Sequence, residues 1–257
     1  MGKSRPKGHS PGSRSAPRLF VGQPLSPGTE IPATPEQTHY LLAVMRREPG
    51  DPVILFNGID GEWSGHIARA GRRECVIAAT TLLKAQVKKP DLTLLFAPLK
   101  HARLDYLVQK ATELGAGRIA PVITRHTIAS RVNTERMMAN VTEASEQCGA
   151  LWVPDVEEPK RLIEALDAMS PEAKLVFCDE AAPIADSVAA LSEAGIGPIA
   201  LLIGPEGGFS VDERDQILKR ERLVRLSLGP RILRADTAGV AALTLIQAVR
   251  GDWYDRT

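Results

Sequence analysis

A chain of 257 residues, 44% hydrophobic and 25% charged, can bury one large core or two smaller ones as a globular protein. Its net charge of +1 excludes a uniformly basic nucleic-acid binder, and no apolar run approaches the length of a membrane span. Three cysteines without a C-x-x-C pair and five histidines without ligand spacing suggest neither a disulfide framework nor a metal site. Residues 1–20 lack the apolar centre of a secretory signal, so a reduced cytoplasm is the expected compartment, with no membrane partner.

Residues 1–17 hold Lys3, Arg5, Lys7 and Arg14 among Gly, Ser and Pro, ahead of the first acidic residue, Glu30. A disordered basic tail is expected, either solubilising or touching RNA phosphates. Residues 18–21 read as a strand, and a proline-punctuated loop leads to a helix from 35 to about 47. Strands follow at 52–56, 62–70 and 74–83, with Asn57-Gly58-Ile59-Asp60-Gly61 as a hairpin turn. Short strands at this spacing predict a small β-barrel over 18–84. Arg46, Arg47, Arg69, Arg72 and Arg73 fall in or near its loops, where they either position RNA by its backbone or form a solvated face. Residues 85–91 read as a linker.

From residue 92 the pattern alternates between strands and helices, which predicts an α/β, doubly wound sheet over 92–257. A strand at 92–97 ends in Pro98-Leu99-Lys100. Leu104, Leu107, Val108, Ala111 and Leu114 then share one helical face. A strand at 118–124 runs into Arg125-His126, and Met137, Val141, Ala144 and Cys148 form another helical stripe. The strand at 174–178 leads to Asp179-Glu180, and 184–191 reads as a helix.

Two strand, glycine-loop, helix units close the chain. The buried strand 199–203 stops at Gly204-Pro205-Glu206-Gly207-Gly208, and Ser210-Val211-Asp212-Glu213 reads as a capping box. The strand 223–228 meets Gly229-Pro230, followed by Arg231, Arg234 and Asp236-Thr237 at the head of an apolar helix. Both loops fall at carboxyl ends of parallel strands, where open α/β sheets bind ligands. Each is equally an ordinary βα turn when taken alone. Neither carries G-x-G-x-x-G or a P-loop lysine, which disfavours a nucleotide triphosphate and leaves a neutral or cationic nucleoside-like ligand open.

LLIGPEGGFS followed by LGPRILRADTA resembles the signature pair of the RsmE family, SPOUT-superfamily methyltransferases that modify N3 of a uridine in 16S ribosomal RNA. The segment LKHARLDYLVQKATELGAGRIAPVITRHT and the run Glu146-Gln147-Cys148-Gly149 resemble two further blocks of that family. The likeness spans nearly all of residues 18–250. It implies a PUA-like RNA-binding barrel, a SPOUT-type sheet with a C-terminal trefoil knot, a homodimer, and S-adenosylmethionine as cofactor. The partner it implies is 16S rRNA in the small ribosomal subunit. The resemblance implies Ile203, Gly204, Glu206, Gly207, Leu228, Gly229, Ile232 and Leu233 at the cofactor and Lys100 and Arg125 at RNA, while Arg46 is expected at RNA from its place beside a barrel loop. Two positions depart from the family pattern: Ala235-Asp236 stands where Thr-Glu is usual, and Ala150 replaces an arginine.

Chemistry divides the remaining roles. A methyl sulfonium is already activated, so the difficulty lies in favouring the N3 anion of uracil. Arg231 or Arg234 is expected to stabilise charge developing on the uracil oxygens, or else to anchor phosphate. Asp236 is expected as general base or as helix N-cap. A SPOUT enzyme acting on a ribose 2′-hydroxyl or another base, and an RNA-binding assembly factor without turnover, are the alternatives.

Overall fold

The computed structural model describes residues 16–127, 132–182, 186–195 and 197–253, so the expected basic tail lies, up to residue 15, outside the described residues. The chain divides into two compact units, Met1–Gln86 and Val87–Thr257. Among the described residues no helix is long and apolar enough to cross a membrane.

The first unit is a five-stranded mixed sheet of β1 (Arg18–Phe20), β2 (Glu30–Pro32), β3 (Pro52–Phe56), β4 (Glu62–Ala70) and β5 (Cys75–Lys84), in the order β1-β3-β4-β5-β2. The β1–β3 pair is parallel and the other ladders are antiparallel. Leu19, Ile31, Leu41, Leu55, Ile67 and Ile77 form its core. β2 is absent from the sequence reading because Ile31 is its sole residue of strand character. Its ladder with β5 makes it a strand. The buried Glu62 carboxylate accepts from Arg18 Nε at 2.7 Å and pairs with Lys84 Nζ at 2.9 Å, while the Arg18 guanidinium stacks 3.7 Å over Phe56.

The helix expected from 35 to about 47 is shorter and changes pitch. Helix α1 (Pro35–Thr38) starts on a capping box between Thr34 and Gln37 and gives way to a π-helical turn, His39–Val44. The wider turn, with the Met45 N–H bonded to the Tyr40 carbonyl at 2.8 Å, carries Leu41 into the core. Arg46 then leaves at φ 53°, a left-handed conformation costing a side-chain-bearing residue about 1–2 kcal/mol.

The second unit runs β6 (Leu92–Phe96), α2 (His101–Glu113), β7 (Arg118–Ile123), α3 (Thr134–Cys148), β8 (Asp155–Val156), β9 (Lys160–Arg161), α4 (Leu162–Asp167) and β10 (Lys174–Cys178). It continues through α5 (Ser187–Glu193), β11 (Ile199–Ile203), α6 (Val211–Leu218), β12 (Leu223–Leu226) and α7 (Ala235–Arg250). The sheet order is β12-β10-β11-β6-β7-β8, with β9 also on β7, and every ladder in it is parallel. Alternate residues serve opposite faces, as strands buried on both sides require. Leu92, Leu94, Phe96, Leu201 and Ile203 pack beneath α2, α3, α5 and α7. Leu95, Val122, Leu175, Phe177, Ala200 and Leu202 pack beneath α4 and α6.

The sequence reading leaves β8, β9 and α4 unassigned, and the other differences are local. α5 begins at Ser187, capped by the Asp186 carboxylate, and the start expected for it at 184–185 lies outside the described residues. β12 stops two residues before its expected end at 228. α7, the expected apolar helix, starts at Ala235 and buries mainly the face of Ala235, Gly239, Ala242, Leu243 and Ile246. That face fits closely: a Cβ on Gly239 would lie 2.6 Å from Leu107 Cδ1, so glycine there lets the Leu107 side chain of α2 pack directly on the α7 backbone. Buried Gln247 ties the far end of α7 down, donating from Nε2 to the Leu114 carbonyl at 2.7 Å.

Candidate functional site

The carboxyl ends of the parallel strands bring the glycine loops to one edge of the second unit. β11 and β12 lie on either side of β10, so their loops leave the sheet two strand spacings apart, about 10 Å. The end of β10 sits between them. This follows from the strand order, which sequence periodicity does not reveal.

The β11 loop is built around Phe209. A Cβ on Gly204 would fall 2.6 Å from the Phe209 ring, so glycine lets the ring fold back under the loop and stack edge-on against Phe177 at 5.5 Å. The Gly208 N–H bonds to the Pro205 carbonyl at 2.9 Å, and Gly208 has φ 69°, which favours glycine. The expected capping box is present: the Ser210 side chain accepts from the Glu213 N–H at 3.3 Å, and Glu213 accepts from the Ser210 N–H at 3.0 Å. The other Glu213 oxygen accepts from the Arg125 N–H at 2.7 Å, which docks the β7 loop onto α6. His126 Nδ1 lies 3.1 Å from the Gly208 carbonyl, a hydrogen bond in the tautomer protonated at Nδ1. Glu206 forms an ion pair with Arg103 of α2.

The β12 loop is more open. Gly229 has φ 91° with no atom within 4 Å of a notional Cβ, and Gly208 shows the same vacancy. Leu228 packs against the core and Leu233 is half-buried, but Ile232 is 86% exposed. Arg231 and Arg234 are exposed and have no carboxylate partner among the described residues. Arg234 occupies the N-cap position of α7, at φ −67° and ψ 152°, without a side-chain cap bond. The N-cap alternative for Asp236 is therefore corrected, because the helix begins one residue ahead of it. Asp236 stands in the first turn, half-buried, with one oxygen accepting from the Thr237 N–H at 3.0 Å.

Between the loops, buried Asp179 continues β10. Its oxygens accept from Arg214 at 2.8 and 3.1 Å, from Arg225 Nε at 2.8 Å and from the Ala181 N–H at 3.0 Å. Burial alone would raise the Asp179 carboxyl, but the bonds from Arg214, the Ala181 N–H and Arg225 outweigh it and hold the group below its ordinary value. Beside it, burial pushes the Cys178 thiol up to about 12, which leaves it inert as a nucleophile.

Of the residues singled out from sequence, Gly204, Glu206, Gly207, Leu228, Gly229, Arg231, Ile232, Leu233, Arg234 and Asp236 fall on the two loops or the first turn of α7. Ile203 is 2% exposed and belongs to the core, so only its main chain can face a ligand. Lys100, exposed at the N-cap position of α2, and Arg125, exposed after β7, stand at the same edge of the sheet. Arg46 belongs to the first unit. Sequence reading missed Arg103, His126 as a loop support, and the Asp179–Arg214–Arg225 cluster. A usable signal for the last was a charged residue inside the apolar run of β12. No group of three or more His, Cys, Asp or Glu able to hold a metal occurs among the described residues.

Vacant space at Gly208 and Gly229 and an exposed isoleucine next to Gly229 leave room for a nucleoside, and residues 204–208 carry no cation to hold a phosphate chain. A triphosphate would require the reverse.

Residues 87–247 match the model of the RNA methyltransferase domain, and residues 33–79 match that of the RNA methyltransferase PUA domain. The chain is 31% identical to the ribosomal RNA small subunit methyltransferase E of Rickettsia conorii, over 90% of this chain and 94% of that one. Its fold is similar to the ribosomal RNA small subunit methyltransferase E of Neisseria gonorrhoeae, solved bound to S-adenosyl methionine (TM-score 0.82, 28% identity, 93% of this chain and 99% of that one). It is also similar to a Legionella pneumophila protein solved with bound SAM (TM-score 0.81, 26% identity, 91% of this chain and 98% of that one).

Proposed function

Because this chain belongs to the family of the ribosomal RNA small subunit methyltransferases E, we propose that it methylates N3 of one uridine in 16S rRNA. The methyl donor in this reading is S-adenosylmethionine. One observation carries the assignment to a site: the two glycine loops leave strands that flank β10, next to two arginines without carboxylate partners among the described residues.

The donor, when bound, supplies an electrophilic methyl group. The residues that would hold it are Gly204, Glu206, Gly207, Leu228, Gly229, Ile232 and Leu233, with the main chain of Ile203. The chain's own work lies with the acceptor. Arg234, with Arg231 beside it, presents a guanidinium fork to the uracil oxygens as negative charge grows there, which favours loss of the N3 proton. Asp236 receives that proton in this scheme. Lys100 and Arg125, at the same edge, and Arg46 in the PUA-like unit bind RNA phosphates.

The homodimer and the knot belong to the same reading. Support for the dimer is the exposed apolar surface beside the site, Ile232 at 86% and Val211 at 77%. Support for the knot is the path of α7, which leaves edge strand β12 and packs against α5, α2 and β11. The cytoplasm is the compartment in which such an enzyme meets small-subunit RNA.

In vitro methylation of small-subunit particles with labelled donor, followed by nucleoside mapping, tests the assignment. Label in 3-methyluridine is expected. Label in a 2′-O-methyl nucleoside, or none, would overturn it. Asp236→Asn is expected to lower transfer by about 10²-fold or more with donor affinity unchanged. The substitution leaves the Arg234 N-cap in place, so near-normal turnover in a single-turnover assay would remove Asp236 as the base.

A further inference from the structure

At the opposite end of the same sheet, a groove of about 560 Å³ opens between the end of α4, the start of β10 and the turn after α6. It lies about 15 Å from the glycine loops, the length of β10. Leu166 and Leu175, both buried, and Met169 line its floor, and Lys219 and Arg222 stand in its wall. Arg220 in the same wall is taken by Asp167 at 2.8 Å. With that pair set aside, Lys219 and Arg222 face one carboxylate in the lining, Glu221.

More positive charge gathers behind the rim. Lys174, at the first position of β10, donates to the Gly195 carbonyl at 2.7 Å. Desolvation, then the charges of Arg250 and Arg222, hold the Lys174 ammonium below its ordinary value, the mark of crowded cations. In the lining itself, Lys219 and Arg222 against the single carboxylate of Glu221 leave a small positive excess, which suits one phosphate. A leucine and methionine floor beside a guanidinium offers an unstacked base a flat apolar seat.

We propose that this groove is a second RNA contact, holding one phosphate and its unstacked base from the RNA whose target nucleotide is methylated at the other end of the sheet. The assignment rests on the methyltransferase reading. It differs from the phosphate contacts proposed above in lying at the amino-terminal ends of the strands. It gives the catalytic unit a grip on the substrate separate from the reacting base.

The test is the full-length double variant Lys219→Gln/Arg222→Gln. Both side chains are exposed and belong to no ion pair among the described residues, so folding should be unaffected, as thermal melting will show. Affinity for small-subunit RNA is measured across a salt series. Loss of that phosphate contact should weaken binding by about threefold near physiological salt and flatten the log–log salt slope by roughly 0.7 to 0.9. Donor affinity and the transfer rate at saturating RNA should stay at wild-type values. In the wild type, RNA carrying 4-thiouridine should crosslink within peptide 216–222, and the variant should lose that crosslink.

Unchanged affinity and slope would overturn the proposal, as would a missing wild-type crosslink. So would free uridine monophosphate abolishing the crosslink at concentrations comparable to the RNA. If the wild type transfers no methyl group yet shows the crosslink and the slope change, the groove stands and the catalytic reading falls.

Discussion

Arg234→Ala is expected to lower methyl transfer to small-subunit RNA by about 10² to 10³-fold, with affinity for S-adenosylmethionine within about twofold of wild type. The magnitude is that of removing one preorganised donor from a developing oxyanion, about 3–4 kcal/mol. The reason lies in the side chain's surroundings. Three other arginines near this edge are spent on structure: Arg103 on Glu206, Arg214 and Arg225 on Asp179. Arg234 is exposed, has no carboxylate partner among the described residues, and is fixed by the backbone where the second loop becomes α7. Arg234→Lys keeps the charge and loses the planar fork, so it should recover only part of the rate. Rapid-quench measurement at saturating RNA separates the two roles left open by the sequence. A fall in rate identifies stabilisation of the uracil oxygens. A fall in RNA affinity alone, with the rate intact, would make Arg234 a phosphate anchor.

Asp179→Ala is expected to destabilise the second unit by about 3 kcal/mol. Removing one partner of a buried ion pair costs about 3–5 kcal/mol. The lower end applies because the Arg214 and Arg225 side chains, at 32% and 34% exposure, regain some hydration. Asp179 joins the end of β10 to α6 and β12, the elements on either side of the site, so donor affinity should weaken together with stability. The pH dependence has a definite sign. The folded-state value is held below the unfolded one, so the stabilisation is complete above the unfolded carboxyl value, about 3.9, and is lost as pH falls through the folded value. The stability gap between wild type and Asp179→Asn should be flat at neutral pH and narrow below about pH 4. Denaturant melts across that range check this. A constant gap down to strong acid would show that the carboxylate's charge is not what matters.

The alternation of apolar strands and amphipathic stripes from residue 92 onward was readable because those strands are buried on both faces. The Ser210–Glu213 capping box was readable because its partners are three residues apart. β2 and β9 were not, since neither carries an apolar pattern of its own and each exists only through its neighbour. The π turn at 39–44 was not, because its sequence is ordinary helix until tertiary burial of Leu41 widens it. At the site, the glycines announced themselves, as positions with positive φ or close packing do. The supports did not. Arg103 and Glu206 are 103 residues apart in the chain, and Asp179 meets Arg225 across a ladder that only the strand order β12-β10 creates. Ile203 was placed by its neighbours in sequence, yet strand alternation turns its side chain into the core.

In the proposed site the loops at 204–208 and 228–233 together hold the methyl donor. A crystal structure of the full-length protein grown with S-adenosylmethionine tests it most directly. The donor should lodge between these loops, against the main chain at Gly204, Gly207 and Gly229, with its methyl group turned toward Arg234. A donor bound elsewhere, in the groove beside Arg222 for example, with these loops untouched, would contradict it.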